Sequence, residues 1–289
     1  MLVKNVTGAT MPLAAGRDLL SAAERGGYAV PGFNVSNLEL ALGVLDAAEA
    51  RRAPLLLQFN PSNIQHFGGL AVAGAVGRAL AEQASVPVAV HLDHGPDIAL
   101  LRAAVQAGFT SLMFDGSTFP LERNTRETCE AYAVAAAAGV ALEAELGHVG
   151  GREPGVLTSE GVLTEPGAAQ DFVEQTRVDS LAVSVGTAHG LAGEIRLDLL
   201  HELRVATKGL PLVLHGGSGV RPDQLRDAVN AGIRKVNVSS ELHSAFASAL
   251  DQGPRGEDPR PALRAARAAV AEAAAQRIEQ LGAALQAGA

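Results

Sequence analysis

The chain has 289 residues, of which 47% are hydrophobic and 19% charged, and its formal net charge is −8. That is apolar enough for a sizeable core and excludes intrinsic disorder, while the acidic balance argues against general binding to nucleic acid or to an anionic membrane. Cys129 is the only cysteine, which excludes an intrachain disulfide, and with no signal-type apolar core near the N-terminus the expected location is cytoplasmic.

Read in chain order, short apolar runs alternate with Ala/Leu-rich helical stretches. The first run is AVPGFNV (Ala29 to Val35), followed by a helical stripe of Leu38, Leu42, Leu45 and Ala48. PLLLQFN (Pro54 to Asn60) comes next. It opens the longest stretch without a charged residue, Ala53 to Gly77, which Pro54, Asn60, Pro61, Asn63, Gln65 and His66 break up, so it reads as no membrane span. VPVAVHLDH (Val86 to His94) precedes a second stripe of Leu100, Ala103, Ala104 and Ala107, closed by Gly108. TSLMFDG (Thr110 to Gly116), VALEAEL (Val140 to Leu146), SLAVSVGTAH (Ser180 to His189), LPLVLHGGS (Leu210 to Ser218) and IRKVNVSS (Ile233 to Ser240) complete eight runs, with Gly139, Gly209 and Gly232 ahead of three of them.

Near-continuously apolar runs of this kind are those of parallel strands buried on both faces. Eight β-then-α units predict an α/β fold, a (β/α)8 TIM barrel with a C-terminal helical extension. A doubly wound open sheet is the alternative, and it lacks a dinucleotide-binding fingerprint here. Residues 1–289 read as one barrel domain, with 251–289 as its C-terminal loop and helix; Leu263, Ala266, Val270, Ile278, Leu281 and Leu285 mark that helix's apolar face. The Gly147 to Gln170 segment reads as a mobile loop over the barrel mouth.

Polar residues crowd the strand ends: Asn34, Asn60, His91, Asp93, His94, Asp115, Glu143, Glu145, His189, His215 and Asn237. Burying so many polar groups without purpose costs kilocalories each, so they are expected to share a site. His94, His189 and His215 end the third, sixth and seventh runs, each followed by glycine, and three neutral imidazoles converging on one point suit Zn²⁺ with an open fourth position. Asp93 is a candidate general base, or else a carboxylate that orients a histidine; His91 is expected to pack inside the barrel. HGGSG (His215 to Gly219) and KVNVSSE (Lys235 to Glu241) follow the seventh and eighth runs, the usual place in a barrel for a phosphate held by backbone N–H groups.

GFNVSN, HLDHG, LMFDGS, EAELGHVGG, VSVGTAHG, LVLHGGSG and GIRKVNVSSEL, in this order, resemble the class II, zinc-dependent fructose-bisphosphate/tagatose-bisphosphate aldolase family. The resemblance covers about Gly32 to Arg260. It implies a lyase of carbohydrate metabolism, of glycolytic type, that cleaves a ketose bisphosphate reversibly to dihydroxyacetone phosphate and an aldehyde (glyceraldehyde 3-phosphate), and that assembles as a homodimer or homotetramer. His94, His189 and His215 match its zinc ligands. Glu145, and more distantly Asp115, match an alternative or second cation position, divalent or monovalent. Asp93 matches the residue that moves the C4 hydroxyl proton, and Glu153 the loop glutamate that moves the C3 proton. Gly190, Gly216, Ser218, Asn237 and Ser240 match the C1-phosphate site, Asn34 a substrate-contacting asparagine, and Arg260 an arginine lent by a neighbouring subunit to the distal phosphate.

The sequence departs from the family pattern around the substrate. HGLAGEIRLD stands where HGxYKG is usual, so the phosphate-site lysine is missing and Arg196 is the nearest cation; QFNPSNI puts Asn60 in place of a serine; and NVSSEL keeps a hydroxyl at Ser240. These changes leave the expected metal ligands intact and open the choice of ketose phosphate, including a ketose 1-phosphate. Few lysines and only Lys235 near a strand end argue against an aldolase that works through a lysine Schiff base. A metal-dependent barrel hydrolase lacks its usual HxH pair on the first strand here, and a non-catalytic sugar-phosphate-binding subunit would have no need to keep Asp93, Glu153 and three ligands.

Overall fold

The computed structural model of the protein describes residues 13–151, 161–189 and 193–288. In chain order it contains α1 (Gly16–Gly26), β1 (Val30–Asn34), α2 (Leu38–Arg51), β2 (Leu55–Phe59), α3 (Pro61–His66), α4 (Leu70–Gln83), β3 (Val88–Gly95), α5 (Ile98–Gln106), β4 (Ser111–Phe114) and α6 (Leu121–Ala138). It continues with β5 (Ala141–Leu146), α7 (Pro166–Thr176), β6 (Ser180–Val183), α8 (Leu197–Ala206), β7 (Leu212–Leu214), α9 (Pro222–Asn230), β8 (Ile233–Val238), α10 (Ser240–Gln252) and α11 (Arg260–Gln280). The eight strands pair in sequence order, all parallel, and β8 pairs back onto β1 to close the barrel.

Local chemistry sets the ends of these elements. Asn37 and Asp97 accept the first free N–H groups of α2 and α5, the usual work of a short polar side chain at a helix start. Gly108, Gly139, Gly209 and Gly232 all take positive φ, the left-handed conformation that ends a helix before the next strand. α1, which the sequence pattern did not single out, lies under the N-terminal ends of the strands; Ala14 N–H donates to the Val88 carbonyl and Gly16 N–H to that of Thr110. There Glu24 holds both Arg204 and Arg234.

All eight expected strands form, with three corrections around them. β6 ends at Val183 and β7 spans only Leu212–Leu214, so the residues beyond each belong to the loops of the barrel mouth. The Gly147 to Gln170 loop is shorter than expected, because Pro166 begins α7. Its two ends are tied down: His148 and Val162 form a two-hydrogen-bond bridge, and the buried Thr164 hydroxyl donates to the Leu146 carbonyl and accepts from Ser184 N–H. The last helix stops at Gln280, since Gly282 turns left-handed; Leu281 is still buried, but Leu285 lies outside the helix and is exposed.

Most of the core lies between the barrel and its helices. The barrel interior is different. Among the described residues it holds a separate small apolar cluster of Met113, Ala182 and Val213, beside a group of buried polar side chains. Lys235 (0% exposed) donates to Glu143 Oε2 at 2.7 Å (Glu143 is 2% exposed) and to His91 Nε2 at 3.3 Å, while His91 Nδ1 lies 2.7 Å from Ser111 Oγ. Gly32 makes room for this packing, because a Cβ there would fall on the Gln58 amide.

A buried ion pair is costly to break on one side and cheap to replace on both. Glu143→Gln or Lys235→Met alone should therefore destabilise the fold by about 3–5 kcal/mol. The double variant Glu143→Gln/Lys235→Met should recover most of that loss in urea denaturation. A double-variant loss equal to the sum of the two single losses would show that the two charges do not act as a pair.

Candidate metal and substrate site

The site is built at the C-terminal ends of the strands, where barrel side chains alternate inward every second residue. His91 and Asp93 on β3, Glu143 and Glu145 on β5, and Lys235 and Asn237 on β8 are three such pairs. The first member of each lies in the lumen and the second at the mouth. Asp93 and His94 are adjacent, however, and an ordinary strand would send them to opposite faces. The backbone resolves this at His94 itself, which has φ 49°, and the β3–β4 register shifts between Leu92 and Gly95. One left-handed residue thus turns both side chains into the same cavity. Histidine is among the residues that tolerate this conformation best, and such strain concentrates at functional sites.

His94, His189 and His215 come together as expected. Their ring centroids are 4.8–5.8 Å apart, and one nitrogen from each falls within 4.8 Å of the others. For His94 and His215 the tautomer can be read from what the other nitrogen does. His94 Nδ1 is 2.7 Å from Asp115 Oδ2, which leaves Nε2 as the lone-pair nitrogen. His215 Nε2 lies 3.1 Å from Glu143 Oε1 and 3.2 Å from Asn237 Nδ2; because the Glu143 carboxylate can only accept, the ring proton belongs on Nε2, and Nδ1 faces Glu145 Oε2 at 3.6 Å. Burial, with His94 close by, holds His215 well below the ordinary histidine pKa, so its ring is neutral.

A second set, His94, Asp115 and Glu145, also brings donor atoms within 4.8 Å of one another. Burial pushes Asp115 upward, but the His94 hydrogen bond and charge and the Ser117 N–H outweigh it and hold the carboxylate low. Glu145 goes the other way: burial first, then the neighbouring Asp115 charge, raise it well above the usual glutamate range. A divalent cation fits the space that the two sets share. His215 Nδ1 and Glu145 Oε2 are both buried with no hydrogen-bond partner among the described residues, and a cation bound between them would satisfy both.

Asp93 is fully buried and gripped by two amides, Asn34 Nδ2 to Oδ2 at 2.8 Å and Asn237 Nδ2 to Oδ1 at 3.0 Å. Burial pushes its pKa up, but His94, Lys235, His215 and the Asn34 hydrogen bond win, and it stays ionised below the ordinary aspartate range. Asn34 and Asn237, expected to contact substrate and phosphate, both serve here as arms for Asp93.

Gly216 takes φ 71° where a Cβ would press on the Ala188 carbonyl, and Gly217–Gly219 form a 3₁₀ turn. Ser218 Oγ accepts from Ser239 N–H at 3.1 Å, and Ser240 opens α10, so the two glycine- and serine-rich runs meet. Arg260, by contrast, is exposed at the start of α11 and paired with Asp258, outside this cluster. Arg196 is likewise exposed and paired with Asp198. Asn60 caps α3 through a reciprocal pair with Asn63. Glu153 and Gly190 lie outside the described residues.

Three features escaped the sequence reading: the Lys235–Glu143 pair as the support of His215, His148 buried beside Ser117, and Arg277, described below. The first carried a signal, since each charge sits two residues before a mouth residue on its own strand. If Asp115 orients His94 as described, Asp115→Ala should weaken metal affinity by about 10- to 100-fold without unfolding the chain. Chelator competition on the purified protein measures this, and unchanged affinity would remove Asp115 from the site.

Comparison with known proteins agrees with this geometry. The family model "Fructose-bisphosphate aldolase class-II" matches residues 14–286. A fructose-bisphosphate aldolase of Streptococcus pyogenes serotype M1 is 39% identical over 95% of this chain and 99% of its own, and a probable fructose-bisphosphate aldolase of Bacillus subtilis is 37% identical over 96% and 100%. Among solved structures, the YdjI aldolase of Escherichia coli K12 superposes with a TM-score of 0.86 at 33% identity, covering 95% of this chain and 99% of that one. A putative fructose-1,6-bisphosphate aldolase of Coccidioides immitis gives 0.88 at 29% identity, over 94% and 97%.

Proposed function

Since the chain belongs to the class-II fructose-bisphosphate aldolase family, we propose that it is a zinc-dependent lyase that reversibly cleaves a ketose 1,6-bisphosphate of the fructose or tagatose type. The products are dihydroxyacetone phosphate and glyceraldehyde 3-phosphate. The observation that carries this reading is the meeting of His94, His189 and His215 beside an ionised Asp93. His94, His189 and His215 would hold the Zn²⁺, which supplies Lewis-acid polarisation of the substrate's carbonyl. Glu145 and Asp115 offer an alternative or second cation position.

The residues divide the remaining work. Asp93, fixed by Asn34 and Asn237, accepts the C4 hydroxyl proton as the C3–C4 bond breaks and C4 becomes the aldehyde carbon. The electron pair of that bond stays with the C3 fragment, and Glu153 returns a proton to C3. The C1 phosphate is bound by the Gly216–Gly219 backbone, Ser218, Ser240 and Gly190, near the start of α10. Lys235 takes no part as a Schiff-base amine, because its ammonium is sealed in the lumen against Glu143 and His91.

We propose further that the protein is a single-domain, cytoplasmic homo-oligomer, a dimer or tetramer. Among the described residues no helix is long and apolar enough to cross a membrane. In the assembly, Arg260 of one subunit serves the distal phosphate of the next, a role that a guanidinium's parallel donors suit. The alternative is a ketose 1-phosphate substrate, and it is favoured by the pairing of Arg260 with Asp258 within its own chain.

A panel of ketose 1-phosphates and 1,6-bisphosphates, assayed for dihydroxyacetone phosphate, tests the activity. Release is expected to stop on chelation and return with Zn²⁺, and Asp93→Ala should lose at least ~10²-fold in kcat while retaining the metal. Full activity in metal-free protein would overturn the reading. For the distal phosphate, Arg260→Ala should impair bisphosphate cleavage far more than 1-phosphate cleavage; equal effects on both, or none, would leave the ketose 1-phosphate as substrate.

A further inference from the structure

We propose that Arg277 is a positioning residue for phosphate binding: from α11 it locks together the two backbone segments that form the phosphate pocket. The inference rests on the phosphate site described above and adds a residue that lies outside it. Only about a tenth of the Arg277 side-chain surface is exposed, and all five of its guanidinium N–H donors are used. Nε and Nη2 form a fork onto Glu241 in the first turn of α10, both at 2.6 Å. Nη2 also donates to the Ser218 carbonyl at 3.0 Å, and Nη1 to the Val220 carbonyl at 3.1 Å and to Gln280 Oε1 at 3.0 Å.

These acceptors place the guanidinium behind the glycine turn. Across a trans peptide the carbonyl and the next N–H point in opposite directions. Drawing the Ser218 carbonyl toward α11 therefore turns the Gly219 N–H away from α11. Glu241, held by the same guanidinium, fixes the start of α10, whose Ser239 N–H already donates to Ser218 Oγ. One side chain thus sets the spacing between the turn at Gly216–Gly219 and the serines at 239 and 240. Because Glu241 neutralises its charge, Arg277 acts on phosphate through geometry rather than by attraction. A glycine-rich turn needs such a brace, since it has the least intrinsic stiffness of any backbone. With no lysine in the HGLAGEIRLD run, correct placement of the remaining donors carries more of the binding.

The test uses the full-length, zinc-loaded protein with inorganic phosphate as the probe, its dissociation constant measured by calorimetry, alongside KM and kcat. Arg277→Met should weaken phosphate binding and raise the KM of the phosphorylated substrate by about 10- to 100-fold. The zinc content should not change, and kcat should hold within about threefold. Arg277→Lys, which keeps the charge and bulk but not the fork, should show the same split at smaller amplitude; it decides the matter if the methionine variant does not fold. Glu241→Gln leaves the two carbonyl contacts in place but removes the charged fork onto α10, and should weaken phosphate binding in the same direction as Arg277→Met and by less. Ser218→Ala separates the two levels of the argument. If it weakens phosphate binding while both Arg277 variants leave binding unchanged, the inference about Arg277 is wrong and the phosphate site stands. If neither Ser218→Ala nor the Arg277 variants change it, the phosphate site itself is misplaced. A loss of folded protein and zinc in parallel with phosphate affinity in both Arg277 variants would make Arg277 a stability residue only.

Discussion

The functional end of the barrel depends on one backbone torsion. With φ at 49°, His94 turns the end of β3 so that two consecutive side chains, an aspartate and a histidine, enter the same cavity. In regular extended backbone, Asp93 would reach the mouth only by sending His94 into the helical layer. A left-handed non-glycine residue costs on the order of 1–3 kcal/mol, and the surroundings over-determine it. Asp115 binds the His94 ring, Asn34 and Asn237 bind Asp93, and Gly95 resumes pairing with Phe114 one step later. The proposed proton acceptor and one proposed metal ligand are thereby neighbours with separate partners. Asp93 is satisfied by amides and remains a carboxylate, while the His94 ring is held by the Asp115 carboxylate.

Beneath this lies a column of buried charge that a barrel of this size would ordinarily fill with branched aliphatics. Lys235, Glu143 and His91 occupy the lumen one layer below Asn237, Glu145 and Asp93. The Glu143 carboxylate has two faces, one for the Lys235 ammonium and one for His215, so the lumen pair fixes the tautomer of a mouth histidine. Stability and ligation are coupled through a single carboxylate, which explains why an apolar lumen would not serve. The same economy recurs on the far side of β8, where Arg277 joins the last long helix to the glycine turn.

Much of this was legible in the sequence, for reasons that also mark its limits. Eight runs read as strands because parallel strands buried on both faces leave no polar interruption except at their ends, and His94, His189 and His215 stood out as those interruptions. β6 and β7 were read too long because SVGTAH and HGGS continue the apolar or small composition after the ladder has ended, and composition does not record hydrogen bonding. Asn60, read as a polar strand end, also caps α3; a strand-end position and a helix-start position coincide in a βα unit, and the cap shows only in its partner, Asn63. The Lys235–Glu143 pair was visible as two charges in apolar runs, but their contact joins strands far apart in sequence. Arg277 gave no signal at all, since its acceptors are backbone carbonyls and a glutamate on other elements.

One cation is expected to bind where the three histidine rings meet, with Asp93 beside it and unbound. The direct measurement is X-ray diffraction from crystals of the zinc-loaded protein, with anomalous differences collected at the zinc edge. The principal peak should touch His94, His189 and His215, with Asp93 still held by Asn34 and Asn237. A principal peak bonded to Asp93, or one lying away from all three histidines, would contradict this arrangement.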